Sequence, residues 1–172
     1  MATNFRKTVG EIFRLLDEAK TKKERLELLA KFDTAAVREI VRLNFSEKVK
    51  FLLPEGRPPY KPLQVPPNAP ESGESNLWSE YKKLYLYIEG GHKTLSPIKR
   101  EALFIQLLEG LHPQEAELLI KLKDKKLKCG LTRAVVDEAY PGLLPLVEKK
   151  TKEKDASSQE TNQNGNGQGS NS

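Results

Sequence analysis

The sequence predicts an all-α fold: a compact bundle of about six to seven short helices, with a long Pro-rich connection in the middle and a disordered C-terminal tail. Three observations carry this. Apolar residues recur at helical spacing in one short segment after another, polar capping residues stand just before several of those segments, and seven of the eleven prolines crowd into Leu52–Ser75. Residues 1–150 are read as the helical body, with 54–76 as the Pro-rich connection inside it, and 151–172 as the polar tail.

The first helix is expected over Phe5–Lys20, where Val9, Ile12, Phe13, Leu15 and Leu16 form one stripe and Thr3 or Asn4 can cap the start. Thr21 and Glu24 have the spacing of a reciprocal capping box for a second helix, whose inner face is Leu26, Leu28, Leu29 and Phe32. Asp33 or Thr34 caps a third, carrying Val37, Ile40 and Val41 and ending near Asn44. Helices this short are unstable singly and must pack together.

Proline lacks a backbone N–H and resists helix interiors, so LLPEGRPPYKPLQVPPNAPESGES is an extended connection. It reads either as a strap over the helices or as a partner motif. Helix resumes at Leu77 after Ser75 or Asn76 and runs to Gly90-Gly91, with Trp78, Tyr81, Leu84, Tyr85 and Ile88 on one face. Ser96-Pro97 and His112-Pro113 start two more, since proline suits the first helical position. The former ends at Gly110; the latter carries Leu118, Leu119 and Leu122 inward, with Leu127 as a further candidate. After Val147 the chain is rich in Asn, Gln, Gly and Ser and has too little apolar surface to offset ordering.

Lys and Arg number 29 against 24 Asp and Glu, a net charge of +5. The segment Asp155–Ser172 holds two acids and no Lys or Arg, so the body stands at +7. Such an excess favours polyanionic partners. A single cysteine excludes an internal disulfide, and one Cys with two His gives no zinc spacing, so no metal or cofactor is expected. With no long apolar run and no signal-peptide core, the chain reads as soluble and intracellular, in the host cytoplasm if viral. His92 and His112 read as turn or cap residues. Asp137 and Glu138 are adjacent on a helix and diverge, so no enzyme site emerges.

The informative stretch is IKLKDKKLKCGLTRAVVDEAYPGLLP. A helix is expected to end with Lys121, Lys123, Lys125, Lys126 and Lys128, cations that suit a helix C-terminus. It would stop at Cys129-Gly130, with Gly130 as its left-handed cap and Leu131 as the accompanying apolar contact. Thr132 would cap the next helix beside Arg133. The corner is either a packing device or a seat for a phosphate.

Leu127, Cys129, Gly130 and Thr132, then Tyr140, Pro141, Gly142, Leu143 and Pro145, resemble the closing part of the all-helical N-terminal DNA-binding domain of ATP-dependent DNA ligases of the bacteriophage type. There, a Leu-x-Cys-Gly-x-Ser/Thr stretch leads into a helix and then an aromatic-Pro-Gly-Leu-x-Pro ending. The opening helices are similar in pattern, down to a third helix ending in Asn or Thr before a short strand-like run, so the resemblance covers about residues 9 to 147. It implies a stand-alone module that grips double-stranded DNA, nicked or intact, by its sugar-phosphate backbone without base reading. The residues it marks are Gly130, Thr132 and Arg133, with Lys125 and Lys128 beside them. The ligase nucleophile motif Lys-x-Asp-Gly is missing, since no Gly follows Lys123-Asp124, and no adenylation domain is expected. A phage accessory factor in replication or repair is implied, with a replication or repair protein as a further partner. The alternative is a phage structural or adaptor protein that keeps the fold without the DNA surface.

Overall fold

The computed structural model describes residues 7–66 and 75–145, and these form an all-helical body. Seven α-helices follow one another among the described residues: α1 (Val9–Glu18), α2 (Lys22–Lys31), α3 (Ala35–Phe45), α4 (Leu77–Glu80), α5 (Pro97–Gly110), α6 (Pro113–Lys123) and α7 (Arg133–Ala139). A 3-10 helix, Tyr81–Tyr87, continues α4. There are no strands among these residues; two isolated bridges, Phe51 with Ile88 and Ser75 with Leu111, are the only β-type pairings.

Local chemistry sets most helix starts. Thr21 and Glu24 form the expected capping box on α2. Thr8 and Glu11 form another on α1, so this helix begins at Val9 rather than Phe5. The caps expected at Thr3 or Asn4 lie outside the described residues. Thr34, Asn76 and Ser96 each accept a backbone N–H of the first turn, and Pro97 and Pro113 occupy the first turns they were expected to. Each such cap is worth about 1 kcal/mol. The expected tail, 151–172, also lies outside the described residues.

The core gathers Val9, Ile12 and Leu16 of α1, Leu29 of α2, Val37 and Ile40 of α3, Phe104 and Leu108 of α5 and Leu119 and Leu122 of α6, all nearly fully buried. The segment after Asn76 departs from expectation. From Tyr81 it winds at about three residues per turn, so Tyr81, Leu84 and Tyr87 turn inward and Tyr85 is left 48% exposed. Tyr87, absent from the expected stripe, packs edge-on against Phe104 with ring centroids 5.2 Å apart.

The Pro-rich connection is held down as a strap over its described part, 54–66. Lys123 Nζ donates to the Pro54 carbonyl at 2.8 Å and Asp124 accepts the Gly56 N–H at 3.1 Å. Arg57 pairs with Glu117, and Glu109 accepts the Lys61 N–H. Four tethers on α5, on α6 and on Asp124 just beyond it replace the ladder bonds that proline cannot make.

Candidate nucleic-acid interface

The corner singled out in the sequence is built differently from its expectation. Helix α6 ends at Lys123, not at Cys129-Gly130. Lys125 takes the left-handed conformation, φ +57°, and closes the helix: its N–H donates to the Leu122 carbonyl and the Lys126 N–H to that of Lys121. This is the paired bond pattern of a left-handed helix stop, here with lysine where glycine is usual. The Lys125 side chain offsets the strain by donating to the Ser46 carbonyl at 2.6 Å, at the end of α3. Burial pushes its pKa below the ordinary lysine value, with Arg42 adding repulsion.

Gly130 is left-handed, φ +66°, but it shapes the approach to α7 rather than closing α6. A Cβ there would stand 2.6 Å from Arg25 Nε and 2.9 Å from the Leu16 carbonyl oxygen. Arg25, from α2, donates to the carbonyls of Leu16 and Ala19 at the end of α1, which offers no basic residue of its own there. The corner therefore seats Arg25 on the α1 C-terminus. Cys129 is buried beside it, and burial pushes its thiol up to about 11. At pH 8 its thiolate fraction is then on the order of 10⁻³. The native chain is expected to react with a disulfide reagent such as DTNB at least ~100-fold more slowly than the unfolded chain in denaturant; equal rates would contradict the buried corner.

Thr132 caps α7 by accepting the Val135 N–H, and stays exposed. Arg133 is turned inward: its guanidinium donates to the Pro145 carbonyl and lies 3.5 Å from Asp137. Of the Tyr-Pro-Gly ending, Tyr140 turns inward while Pro141 and Gly142 stay exposed. Tyr140 is buried, donates its hydroxyl to the Leu29 carbonyl at 3.0 Å, and carries the Arg38 guanidinium over its ring.

Of the five nominated residues, then, Lys125 and Arg133 have intramolecular partners, Gly130 packs on Arg25, and Thr132 and Lys128 face outward. Other lysines expected in the cluster divide the same way. Lys123 is buried against Asp124 and Pro54, and Lys126 pairs with Glu55. Arg100 is buried too, capping the carbonyls of Leu86 and Leu95.

What remains converges on a different place. An open groove of about 410 Å³ runs between α1 and α6, walled by Gly10, Phe13, Arg14 and Asp17 on one side and Pro113, Gln114, Glu117, Leu118 and Lys121 on the other. Leu127 and Lys128 close one end. Lys121 and Lys128 are exposed, and neither ammonium has a hydrogen-bond or ion-pair partner among the described residues. Arg14 adds a third cation, with Glu18 at 4.0 Å, and Arg57 already neutralises Glu117, which leaves Asp17 as the opposing charge. The surplus of cations on the rim suits an anion that brings phosphates past it. Spacing could have revealed both walls: 10, 13, 14, 17 and 114, 117, 118, 121 are each one helical face.

The described residues form a small all-helical body, and on the rim of this groove Lys121 and Lys128 are exposed with no partner among those residues. Residues 12–129 match the model of a family of unknown function, DUF6433, and the chain belongs to that family. No curated protein matches the chain. No helix among the described residues is long and apolar enough to cross a membrane.

Proposed function

We propose that the protein is a non-catalytic module that binds double-stranded DNA by its sugar-phosphate backbone, without sequence readout, as a phage accessory factor in replication or repair. The observation that carries this is the pair Lys121 and Lys128, two exposed ammonium groups with no partner among the described residues, on the rim of one groove that Arg14 also lines. The resemblance to the ligase DNA-binding domain supports the same reading, with the contact shifted from the Gly130 corner to the groove. The nearest approach to a nucleophile motif, at Lys123, is a structural tether with its ammonium held by Pro54 and Asp124.

One observation favours the adaptor reading instead. Lys22, Arg57, Lys83 and Lys126 each pair with a glutamate, which scatters the basic surface among acids, while Tyr85 and Ile98 stand exposed as large apolar side chains. Fluorescence-anisotropy titration of nicked, intact and single-stranded DNA at two salt concentrations separates the two. The proposal expects micromolar or tighter duplex binding that weakens steeply with salt. No binding at low salt would exclude it and leave the adaptor.

A further inference from the structure

Glu115, in the first turn of α6, is only 1% exposed and sits where three helices meet. Its Oε1 accepts the Leu77 N–H at 3.4 Å, and the Gly10 N–H also faces the carboxyl. Those donors belong to the first turns of α4 and α1, counted from the caps Asn76 and Thr8. Such amides have no partner inside their own helix, so an acceptor from α6 ties both helix starts together. The approach is close because residue 10 has no side chain: a Cβ there would stand 3.3 Å from Glu115 Cγ.

The junction is incomplete as a carboxylate site. Oε2 is buried with no hydrogen-bond partner among the described residues. Glu11 of α1 is the charge acting on the carboxyl, and it has the same sign. Helix α4 carries Glu80 as its single charged residue, and His112, capping α6, accepts the Gln114 N–H through Nδ1. Among the described residues no cation acts on this carboxyl, and a buried unpaired charge is costly.

We propose that Glu115 is a proton-sensitive latch: protonation tightens the α1–α4–α6 junction and ionisation loosens it. Burial is the main cause that pushes the carboxyl up to about 7, against the opposing pull of the Leu77 and Gly10 amides and with a smaller contribution from Glu11. A carboxyl raised in the folded state contributes stability that is complete below its ordinary value and lost as pH rises from there through the folded value. The window is therefore pH 4.5 to about 7. Gly10 and Gln114 also wall the groove that carries Lys121 and Lys128. Coupling of the latch to DNA rests on the proposed function; the latch itself does not.

The test is an NMR titration of the Glu115 side-chain carboxyl in the full chain, with protection factors of the Gly10 and Leu77 amides measured across the same pH range. The expected result is a midpoint near 7 and protection that falls roughly tenfold or more as pH rises. Glu115→Gln keeps the acceptor but cannot ionise, so it is expected to remove the pH dependence of both amides. An ordinary carboxylate midpoint, or the same pH dependence in E115Q, overturns the latch. Should E115Q fail to fold, the wild-type titration decides alone. A chain that titrates as expected yet binds no DNA keeps the latch and removes only the proposed function.

Discussion

Gly130→Ala is expected to destabilise the body by about 3 kcal/mol, a fall in Tm of roughly 10 °C. Two costs combine. A left-handed backbone disfavours any Cβ, and this Cβ would press on Arg25 and on the Leu16 backbone oxygen at 2.6 and 2.9 Å. The backbone oxygen cannot move away cheaply, and shifting Arg25 uncovers the carbonyls of Leu16 and Ala19. Gly142→Ala separates the two costs. Gly142 is also left-handed, φ +81°, but none of the described residues lies within 4 Å of its Cβ position, so only the conformational cost of about 1 kcal/mol is expected. Thermal unfolding of both variants checks this. Equal losses would mean that the Gly130 corner does not hold Arg25 as described.

Charge reversal in the groove, Lys121→Glu with Lys128→Glu, is expected to weaken duplex binding on the order of 100-fold at low salt. It should also flatten the salt slope by about 2, one for each lost phosphate contact. Both side chains are exposed and have no partner among the described residues, so Tm should hardly move. Lys125→Met and Arg133→Met are the informative contrast. Their cations are held by Ser46 and by Pro145 with Asp137, so these variants are expected to lose stability and to keep the affinity of the fraction that remains folded. Loss of affinity in the Arg133 variant with the groove variant unaffected would return the contact to the corner.

These contrasts show how much the sequence made legible. Helix starts were readable because their signals are local: Thr21 with Glu24, Ser96 with Pro97 and His112 with Pro113 each stand within one turn of the groups they satisfy. The end of α6 was not, because a lysine fills the left-handed position and its compensation comes from Ser46, 79 residues away in the chain. The stripe after Asn76 was misjudged at Tyr85 because a 3-10 helix has a different period from the α-helix the apolar spacing suggested.

The candidate site divides along the same line. A run of lysines reads as one cluster in sequence, yet tertiary partners sort it into Lys123, Lys125 and Lys126, engaged within the fold, and Lys121 and Lys128, left facing solvent. Nothing local distinguishes these groups. Lys123 is buried where Pro54 comes back across α6, and Arg133 is turned inward where the chain returns at Pro145. Lys128 was legible as an exposed cation; its companions on α1, Arg14 and Phe13, required knowing that α1 packs on α6.

The groove between α1 and α6 is the proposed contact with duplex DNA. The most direct measurement is backbone NMR shift mapping of the full chain during addition of a short duplex at low salt. Shifts are expected to centre on Gly10, Phe13, Arg14, Leu118, Lys121 and Lys128. Shifts centred on Tyr85 and Ile98 or on Arg133, or no shifts at all, would contradict it.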